Sequence, residues 1–244
     1  MKIIDHIYEK YNNFNRLNFE YTKSPPYPHL VLDDFLPNET VSKLKEECNQ
    51  IGWTREFTRN GSRMLERQNI TDCPVAYGVF QELSSQKFLK WLGSITGHDD
   101  LIPDPHMIGA GYMRCSKGDS LKIHSDFNYN NTLGLYRMLT LNIYLNKDWQ
   151  KEWHGDLQFW DFDRKKCVSS YLPEAGRAIL FRHHKYGFHG HPNPMECPEN
   201  VHRDGLRIFY YVTRTSYKMD KNPHRSLYWF DENTGEPYDI ESET

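Results

Sequence analysis

The sequence of 244 residues predicts an α+β, mainly β fold: a double-stranded β-helix, or cupin-like jelly roll, with supporting N-terminal helices. Two observations predict this fold. Helical patterns are confined to the first hundred residues, and short strand-like runs separated by turn residues follow residue 104. The runs are Met107–Arg114, Leu121–Phe127, Arg137–Leu145, Asp156–Phe162, Arg177–Phe181, Gly187–His191 and Leu206–Thr213.

Two amphipathic helices with clear ends are predicted before residue 104. Asn38 is expected to cap the first helix and Gly52 to end it, whereas the second begins near Ser84 or Ser85 and ends at Gly97. Their apolar stripes are Val41, Leu44, Cys48 and Ile51 in the first helix and Phe88, Leu89, Leu92 and Ile95 in the second. We expect both helices to pack on a sheet.

The remaining N-terminal residues give weaker patterns. A short helix is predicted at Ile4–Tyr11 and a strand at Leu30–Leu32, and irregular structure with short strands is predicted from Trp53 to Tyr77. We expect a single domain over residues 1–244, because there is no internal repeat or low-complexity linker. Within it, residues 1–103 form a support layer, 104–215 the jelly-roll core and 216–244 a C-terminal extension with the aromatic patch Leu227–Phe230.

Composition limits the class of protein. The hydrophobic share is low at 38%, but the aromatic share is 14%, and large rings bury enough area for a core. A net charge of −3 gives no electrostatic case for a nucleic-acid partner. No apolar run resembles a signal peptide or a membrane span, and five widely spaced cysteines do not suggest disulfides. These observations predict a cytoplasmic protein without a membrane partner.

The stretch His124-Ser125-Asp126 is the strongest candidate for chemistry. Residues i and i+2 of a strand point the same way, so the imidazole and the carboxylate converge. They supply two of the three groups of a 2-His-1-carboxylate site, which holds non-haem Fe(II) and leaves positions open. His189 is a candidate for the distant third ligand. His183 and His184 follow a strand end and are expected to be exposed, but periodicity alone does not separate His189 from His191.

Several further runs carry a family resemblance. Arg137–Trp149, in which Thr140, Tyr144, Leu145, Asn146 and Trp149 recur at the family's spacing, is similar to the central strand of prolyl-hydroxylase-like Fe(II)/2-oxoglutarate dioxygenases. Phe188–Pro194 resembles the strand that bears the distal ligand, and Arg203–Tyr211 resembles the closing strand. With the His-x-Asp stretch, four motifs occur in the family's order. The resemblance covers roughly residues 104–214.

The resemblance implies a role for each matching residue. His124, Asp126 and His189 would bind Fe(II), and the His-Gly-x-Pro context favours His189 over His191. Arg203 would hold the far carboxylate of 2-oxoglutarate, with Arg207 as the runner-up. Arg203 would thus join the three ligands as a catalytic residue, and the cosubstrate site would be completed by Tyr144, Thr140, Asn142 and Arg207.

The implied reaction is the hydroxylation of an unactivated C–H bond, with O2 as co-reactant and release of succinate and CO2. The substrate is expected to be a peptide, an amino acid or a small metabolite, and the resemblance also allows ascorbate as a reductant. An alternative from the fold alone is a cupin-like binding or sugar-processing protein without redox chemistry. A second alternative is a non-enzymatic interaction module that uses the aromatic tail around Trp229.

The sequence departs from the family pattern at two places. His154-Gly155 stands where the family usually has two glycines, and we expect His154 to occupy a turn. Arg114 or Cys115 falls where a tyrosine commonly precedes the first ligand, which leaves the contacts to the metal-bound end of the cosubstrate open. Aromatic candidates for the edge of the site are Tyr129, Trp153 and Trp160.

Overall fold

The computed structural model describes residues 2–213 and 222–228. The helices are α1 (Ile3–Lys10), α2 (Phe14–Lys23), α3 (Asn38–Cys48), α4 (Pro74–Leu83) and α5 (Gln86–Thr96). The strands are β1 (His29–Leu32), β2 (Arg55–Arg59), β3 (Ser62–Arg67), β4 (Ile102–Pro103), β5 (Gly111–Cys115), β6 (Leu121–Ser125), β7 (Tyr129–Asn130), β8 (Leu135–Tyr144), β9 (Leu157–Trp160), β10 (Cys167–Tyr171), β11 (Ala178–Arg182), β12 (His189–His191), β13 (Arg203–Val212) and β14 (Leu227–Tyr228).

Two antiparallel sheets form the body of the molecule. Within the described residues, the larger sheet has the order β1-β11-β8-β13-β5-β3-β2, with β4 beside β13 and β7 beside β8. The smaller sheet has the order β10-β9-β12-β6-β14. Most neighbouring strands are distant in the chain, as in a jelly roll, so the predicted mainly β architecture is confirmed.

Side chains of β8 alternate between two cores. Leu139, Leu141 and Ile143 face the helices and belong to the larger apolar cluster. Tyr144 faces the other way and packs with Phe159 of the smaller sheet, in a second cluster between the sheets. The space between the two sheets therefore receives one face of β8.

The helices form a layer on the outer face of the larger sheet. Tyr210 of β13 donates a hydrogen bond from its hydroxyl to the carbonyl of Leu83 in α4 (3.0 Å), and Tyr112 of β5 reaches Leu44 in α3 (3.1 Å). Helix α5 begins and ends as predicted. The hydroxyl of Ser85 accepts from the Phe88 amide, and Gly97 ends the helix at φ 76°.

The first predicted helix is shorter than its sequence pattern indicates. Asn38 is the first helical residue and its side chain makes no cap, because Pro37 holds the N-cap position. The helix ends at Cys48, so Ile51 and Gly52 lie beyond it. The expectation that Gly52 ends this helix is therefore wrong.

The sequence patterns do not predict two of the helices, α2 and α4. Helix α2 buries only Leu17 and Tyr21, so its apolar stripe is thin. Helix α4 occupies part of the segment predicted to be irregular, and its first amides donate to the carboxylate of Glu47 in α3. Because another helix supplies the cap of α4, the sequence around the start of α4 carries no capping motif.

None of the helices within residues 2–213 and 222–228 has the length and apolar character that crossing a bilayer requires. Of the predicted aromatic patch, Leu227 and Tyr228 are buried in β14, whereas Trp229 and Phe230 lie outside the described residues. Most of the predicted extension over 216–244 lies outside them too, and the three-part division of the domain stays a prediction.

Two glycine substitutions should change stability in opposite directions. Gly111 has φ 105°, and a Cβ there would lie 2.2 Å from the carbonyl oxygen of Arg67. We expect Gly111→Ala to lower the free energy of unfolding by about 2 kcal/mol. Gly78 lies inside α4, and a Cβ at this residue would meet nothing within 4 Å. Gly78→Ala should therefore raise the free energy of unfolding by about 0.5–1 kcal/mol.

Urea unfolding measures both changes through the transition midpoint. An unchanged midpoint for Gly111→Ala would contradict the close approach of β3 and β5 at this residue.

Candidate active site

The pairing of β12 with β6 brings two histidines together. His189 lies opposite His124 in the register, and their ring centroids are 4.7 Å apart. Asp126 follows the end of β6 on the same side. One ligand atom from each of His124, Asp126 and His189 lies within 4.8 Å of the others. The three residues predicted from the sequence to form one site therefore converge.

Backbone carbonyls orient both imidazoles. The Nδ1 atom of His124 lies 2.8 Å from the carbonyl of Lys122, and that of His189 lies 2.9 Å from the carbonyl of Gly187. With Nδ1 donating, the Nε2 lone pair of each ring is free, and each Nε2 lies 3.4 Å from a carboxylate oxygen of Asp126. This donor set is the facial triad suited to Fe(II).

Charge is balanced at this cluster by a buried arginine. Burial raises the pKa of Asp126, but Arg137 together with His189 and His124 outweighs that effect and holds the pKa well below its usual value. Arg137 donates from Nη2 to the Oδ2 atom of Asp126 at 2.5 Å. Burial lowers the pKa of His124, so its ring is neutral and can act as a ligand.

Sequence patterns assigned no role to Arg137, although it opens the run that resembles the family's central strand. Strict alternation would place its side chain with Leu139, toward the helices. The pairing of β8 with β13 shifts register here: Leu139 pairs with Tyr210, and Arg137 pairs with Tyr211. This irregularity turns the guanidinium inward, where its Cζ lies 3.6 Å from the ring centroid of Phe209.

The rival histidines have other surroundings. The prediction that His183 is exposed is wrong: the residue is buried, and its Nε2 accepts from the Nε of Arg137 at 3.1 Å. His184 is half-buried rather than exposed. His191 is buried with Nε2 3.8 Å from the sulfur of Cys115. The pairing of β12 with β6 is irregular after His189. His191 therefore lies opposite Leu121, and not opposite the residue of β6 that regular antiparallel pairing would give.

A second cationic group lies at the inner end of the site. Arg203 is buried, its Nε donates to the carbonyl of Gly155 (2.6 Å), and its Nη2 donates to the hydroxyl of Tyr144 (3.1 Å). No carboxylate pairs with Arg203 among the residues that the structure describes. Burial raises the pKa of Tyr144, although Arg203 acts in the opposite direction, so the phenol stays protonated. A buried cation without a counter-charge favours an anionic ligand.

The other predicted cosubstrate residues line the same inner cavity. Thr140 and Asn142 alternate with the helix-facing residues of β8 and border the cavity together with the three converging residues and Arg203. The Oδ1 atom of Asn142 is buried, and it has no hydrogen-bond partner among the described residues. Arg207 also borders this cavity, but its Nη2 donates to Glu66 at 2.5 Å. Arg203 is therefore better placed than Arg207 to receive an anion.

The two departures from the family pattern have structural explanations. Arg114 pairs with Asp204, away from the cavity, with Nε 2.6 Å from Oδ1. Cys115 contacts His191, as described above, between the sheets. His154 occupies a turn with φ 58°, as expected, and its carbonyl accepts from the indole of Trp149.

A wider cavity of about 530 Å³ is bordered by His124 and Asp126, and we call it the mouth. Tyr129 borders it, whereas the expectation is wrong for Trp153, which packs against Trp149, and for Trp160, which packs in a small cluster with Phe188. Tyr228 of β14 also borders the mouth, and its ring stacks on His124 at 5.2 Å. Sequence patterns place Tyr228 in an aromatic patch but do not connect it with the site, because β14 has only two residues.

Comparison with known families identifies the domain. Residues 110–211 match the model of the 2OG-Fe(II) oxygenase superfamily. This stretch contains the three converging residues, Arg203 and Tyr144. No curated protein sequence matches the chain.

Solved structures share the fold at low sequence identity. A prolyl 4-hydroxylase from Phytophthora capsici superposes with a TM-score of 0.60 and 16% identity, over 88% of this chain and 67% of that one. A Trichoplax adhaerens prolyl hydroxylase, in complex with a hypoxia inducible factor peptide fragment, superposes with a TM-score of 0.59 and 13% identity, over 87% of this chain and 96% of that one. HygX from Streptomyces hygroscopicus, with nickel, 2-oxoglutarate and hygromycin B bound, superposes with a TM-score of 0.52 and 12% identity, over 78% of this chain and 84% of that one.

These structures establish the fold, and the family match covers the strands that carry the converging groups. Residues 110–211, which carry the three converging residues, are similar to the 2OG-Fe(II) oxygenase superfamily, and the fold is similar to that of prolyl 4-hydroxylases.

Proposed function

We propose that this protein hydroxylates an unactivated C–H bond of a peptide, amino acid or small metabolite, with Fe(II) held by His124, Asp126 and His189. The observation that carries the proposal is the convergence of the three ligand atoms within 4.8 Å, at a place where His124 and Asp126 also border the mouth. Bound Fe(II) and 2-oxoglutarate supply the activation of O2, with succinate and CO2 as the products. The chain's own residues hold and orient these groups.

The donor set fits Fe(II). Two imidazoles and one carboxylate leave part of the coordination sphere open, as this chemistry requires. Arg137 acts as a positioning residue, because its contact with Oδ2 of Asp126 fixes the carboxylate between the two rings. The carbonyls of Lys122 and Gly187 do the same for the rings.

The inner cavity fits the far carboxylate of 2-oxoglutarate. A guanidinium can bind a carboxylate through two parallel hydrogen bonds, and the hydroxyl of Tyr144 lies beside Arg203 to add a third. Thr140 and Asn142 line the wall between this end and the metal ligands. The cavity is narrow, about 30 Å³, but its walls include Met64 and Met113, whose unbranched side chains can repack around a diacid.

The alternative of a cupin-like binding or sugar-processing protein explains the histidines but not a buried guanidinium and phenol at the inner end. The hypoxia inducible factor peptide bound to the Trichoplax enzyme supports a peptide substrate, whereas hygromycin B bound to HygX supports a small molecule. The fold is compatible with both. Ascorbate as a reductant and a cytoplasmic location stay predictions.

Removal of a ligand tests the metal assignment. Asp126→Ala and His189→Ala should each abolish Fe(II)-dependent succinate formation from 2-oxoglutarate and weaken Fe(II) binding, because two ligands do not complete the triad. His154→Ala, on a turn outside the inner cavity and the mouth, is the control and should keep activity. Full succinate formation in either ligand variant would remove that residue from the set.

Substitution of the inner cation tests the cosubstrate site. Arg203→Met should raise the KM for 2-oxoglutarate by about 10–100-fold, since charge-assisted hydrogen bonds contribute roughly 1.5–3 kcal/mol. Tyr144→Phe should raise it by about five- to tenfold, because one neutral hydrogen bond is lost. Initial rates of succinate formation measure both. A larger rise for Arg207→Met than for Arg203→Met would transfer the role to Arg207.

The charge balance at Asp126 gives a stability prediction. Arg137→Met should lower the free energy of unfolding of the metal-free protein by about 3 kcal/mol, because a buried carboxylate loses its partner. Urea unfolding with added Ni(II) should recover part of the loss, since the ion supplies the missing positive charge. The double variant Arg137→Met with Asp126→Asn should be more stable than Arg137→Met alone. Equal stability of the parent and Arg137→Met would contradict this account.

A further inference from the structure

The mouth of the site is rich in arginine. Four of its arginines lie around the opening, on β2, on β13 and on the segment before β14, and we call them the arginine rim. They are Arg55, Arg59, Arg207 and Arg225. A fifth, Arg137, lies at the floor. This surface differs from the whole chain, which carries a net charge of −3.

Acidic groups in the mouth do not balance these cations. Among the described residues, two carboxylates border it, those of Glu66 and Asp126. Asp126 is engaged by Arg137 at the floor, and the single carboxylate of Glu66 is shared by Arg207 (2.5 Å) and Arg55 (3.4 Å). Five guanidinium groups against two carboxylates leave the mouth strongly positive, and a concave surface of one sign concentrates counter-ions.

Arg59 is the cation of the rim that is best placed for a ligand. Its Cζ lies 5.3 Å from the ring centroid of Tyr228, and that ring stacks on His124. The guanidinium is therefore only one aromatic ring away from a proposed metal ligand. It pairs with no carboxylate within residues 2–213 and 222–228. Its charge is held beside the metal site and is available to a ligand.

Arg225 borders the same mouth from another part of the chain. It is exposed, and it lies three residues before Tyr228 on the segment that leads into β14. No ion pair forms at its side chain in the described part of the chain. Arg59 and Arg225 thus come from segments far apart in sequence and present two unneutralised guanidinium groups to one cavity.

We propose that the substrate carries a carboxylate or phosphate group, which Arg59 and Arg225 bind while the carbon to be hydroxylated lies over the metal site. This inference rests on the proposed function and specifies its substrate class. A guanidinium recognises both anions through paired hydrogen bonds. The volume of the mouth, about 530 Å³, falls within the usual range for small-molecule sites and also accommodates an acidic side chain of a peptide.

Two arginines of the rim, Arg59 and Arg225, are separate from the inner site at Arg203. Arg203 borders the inner cavity and not the mouth, whereas Arg59 and Arg225 border the mouth and not the inner cavity. One cation can therefore hold 2-oxoglutarate while the others select a second anion. A neutral or cationic substrate would leave the rim without a counter-charge.

Matched probe pairs test the proposal. The pairs are O-phospho-L-serine with L-serine, N-acetyl-L-aspartate with N-acetyl-L-asparagine, and a proline-containing peptide flanked by glutamate with the same peptide flanked by glutamine. Binding of each probe is measured by calorimetry with Ni(II) and 2-oxoglutarate present. Oxidation is measured as a gain of one oxygen by mass spectrometry with Fe(II). At least one anionic member should bind about tenfold more tightly than its neutral partner.

Two variants identify the residues responsible. Arg59→Gln with Arg225→Gln should remove the preference for the anionic member and leave the binding of 2-oxoglutarate unchanged. Arg16→Gln, an exposed arginine on α2, is the matched control and should keep the preference. The pair that shows the preference tells phosphate from carboxylate and free compound from peptide.

Equal binding within all three pairs, or no binding of any anionic member, would overturn the inference. So would a preference that survives in the double variant. Succinate formation from Fe(II) and 2-oxoglutarate alone, without a probe, is recorded in parallel. Its presence without an anion preference rejects the substrate class and keeps the oxygenase, whereas its absence rejects the proposed function.

Discussion

The hydrogen-bonded pairing of β12 with β6 is the constraint on which the site depends. It sets His189 opposite His124, and because side chains at paired positions lie on the same face, both rings meet Asp126. A slip of one residue would send one imidazole to the opposite face of the sheet. The carbonyls of Lys122 and Gly187, from the same two segments, then fix the direction of each ring. Strand register and ligand geometry are thus set by the same interaction.

Buried charged side chains differ in how they are compensated in this structure. Asp126 is compensated by Arg137, and Asp204, which is fully buried, is compensated by Arg114 and by Lys45. Both carboxylates therefore follow the rule that a buried charge needs a partner. Arg203 departs from it, since its contacts among the described residues are a carbonyl and a phenol. This departure distinguishes Arg203 from the cations of the structural ion pairs.

Much of the fold and site could be predicted from the sequence where the signal is local. Spacing of i and i+2 joined His124 to Asp126, alternation placed Thr140, Asn142 and Tyr144 on one face of β8, and Ser85 and Gly97 bounded α5. Prediction of His189 needed the family motif, because its partner strand is distant in the chain.

The rest depended on tertiary contacts. Arg137 faces inward only because of a register shift between β8 and β13, and α4 begins where Glu47 from another helix accepts its amides. Tyr228 reaches His124 through a strand of two residues, which carries no periodicity. A local sequence pattern cannot predict a contact when one of the two contacting residues lies far away in the chain.

Part of the wall of the mouth comes from segments outside the stretch that carries the three converging residues. His124, Asp126 and His189 lie within the stretch 110–211 that matches the superfamily, whereas Arg59 lies before it and Arg225 and Tyr228 lie after it. Arg59 and Arg225 can therefore mutate without disturbing the pairing of β12 with β6, whereas Tyr228 pairs with His124 through β14 and β6. Such a division gives a lineage freedom to exchange one substrate for another while the oxidative machinery is inherited intact.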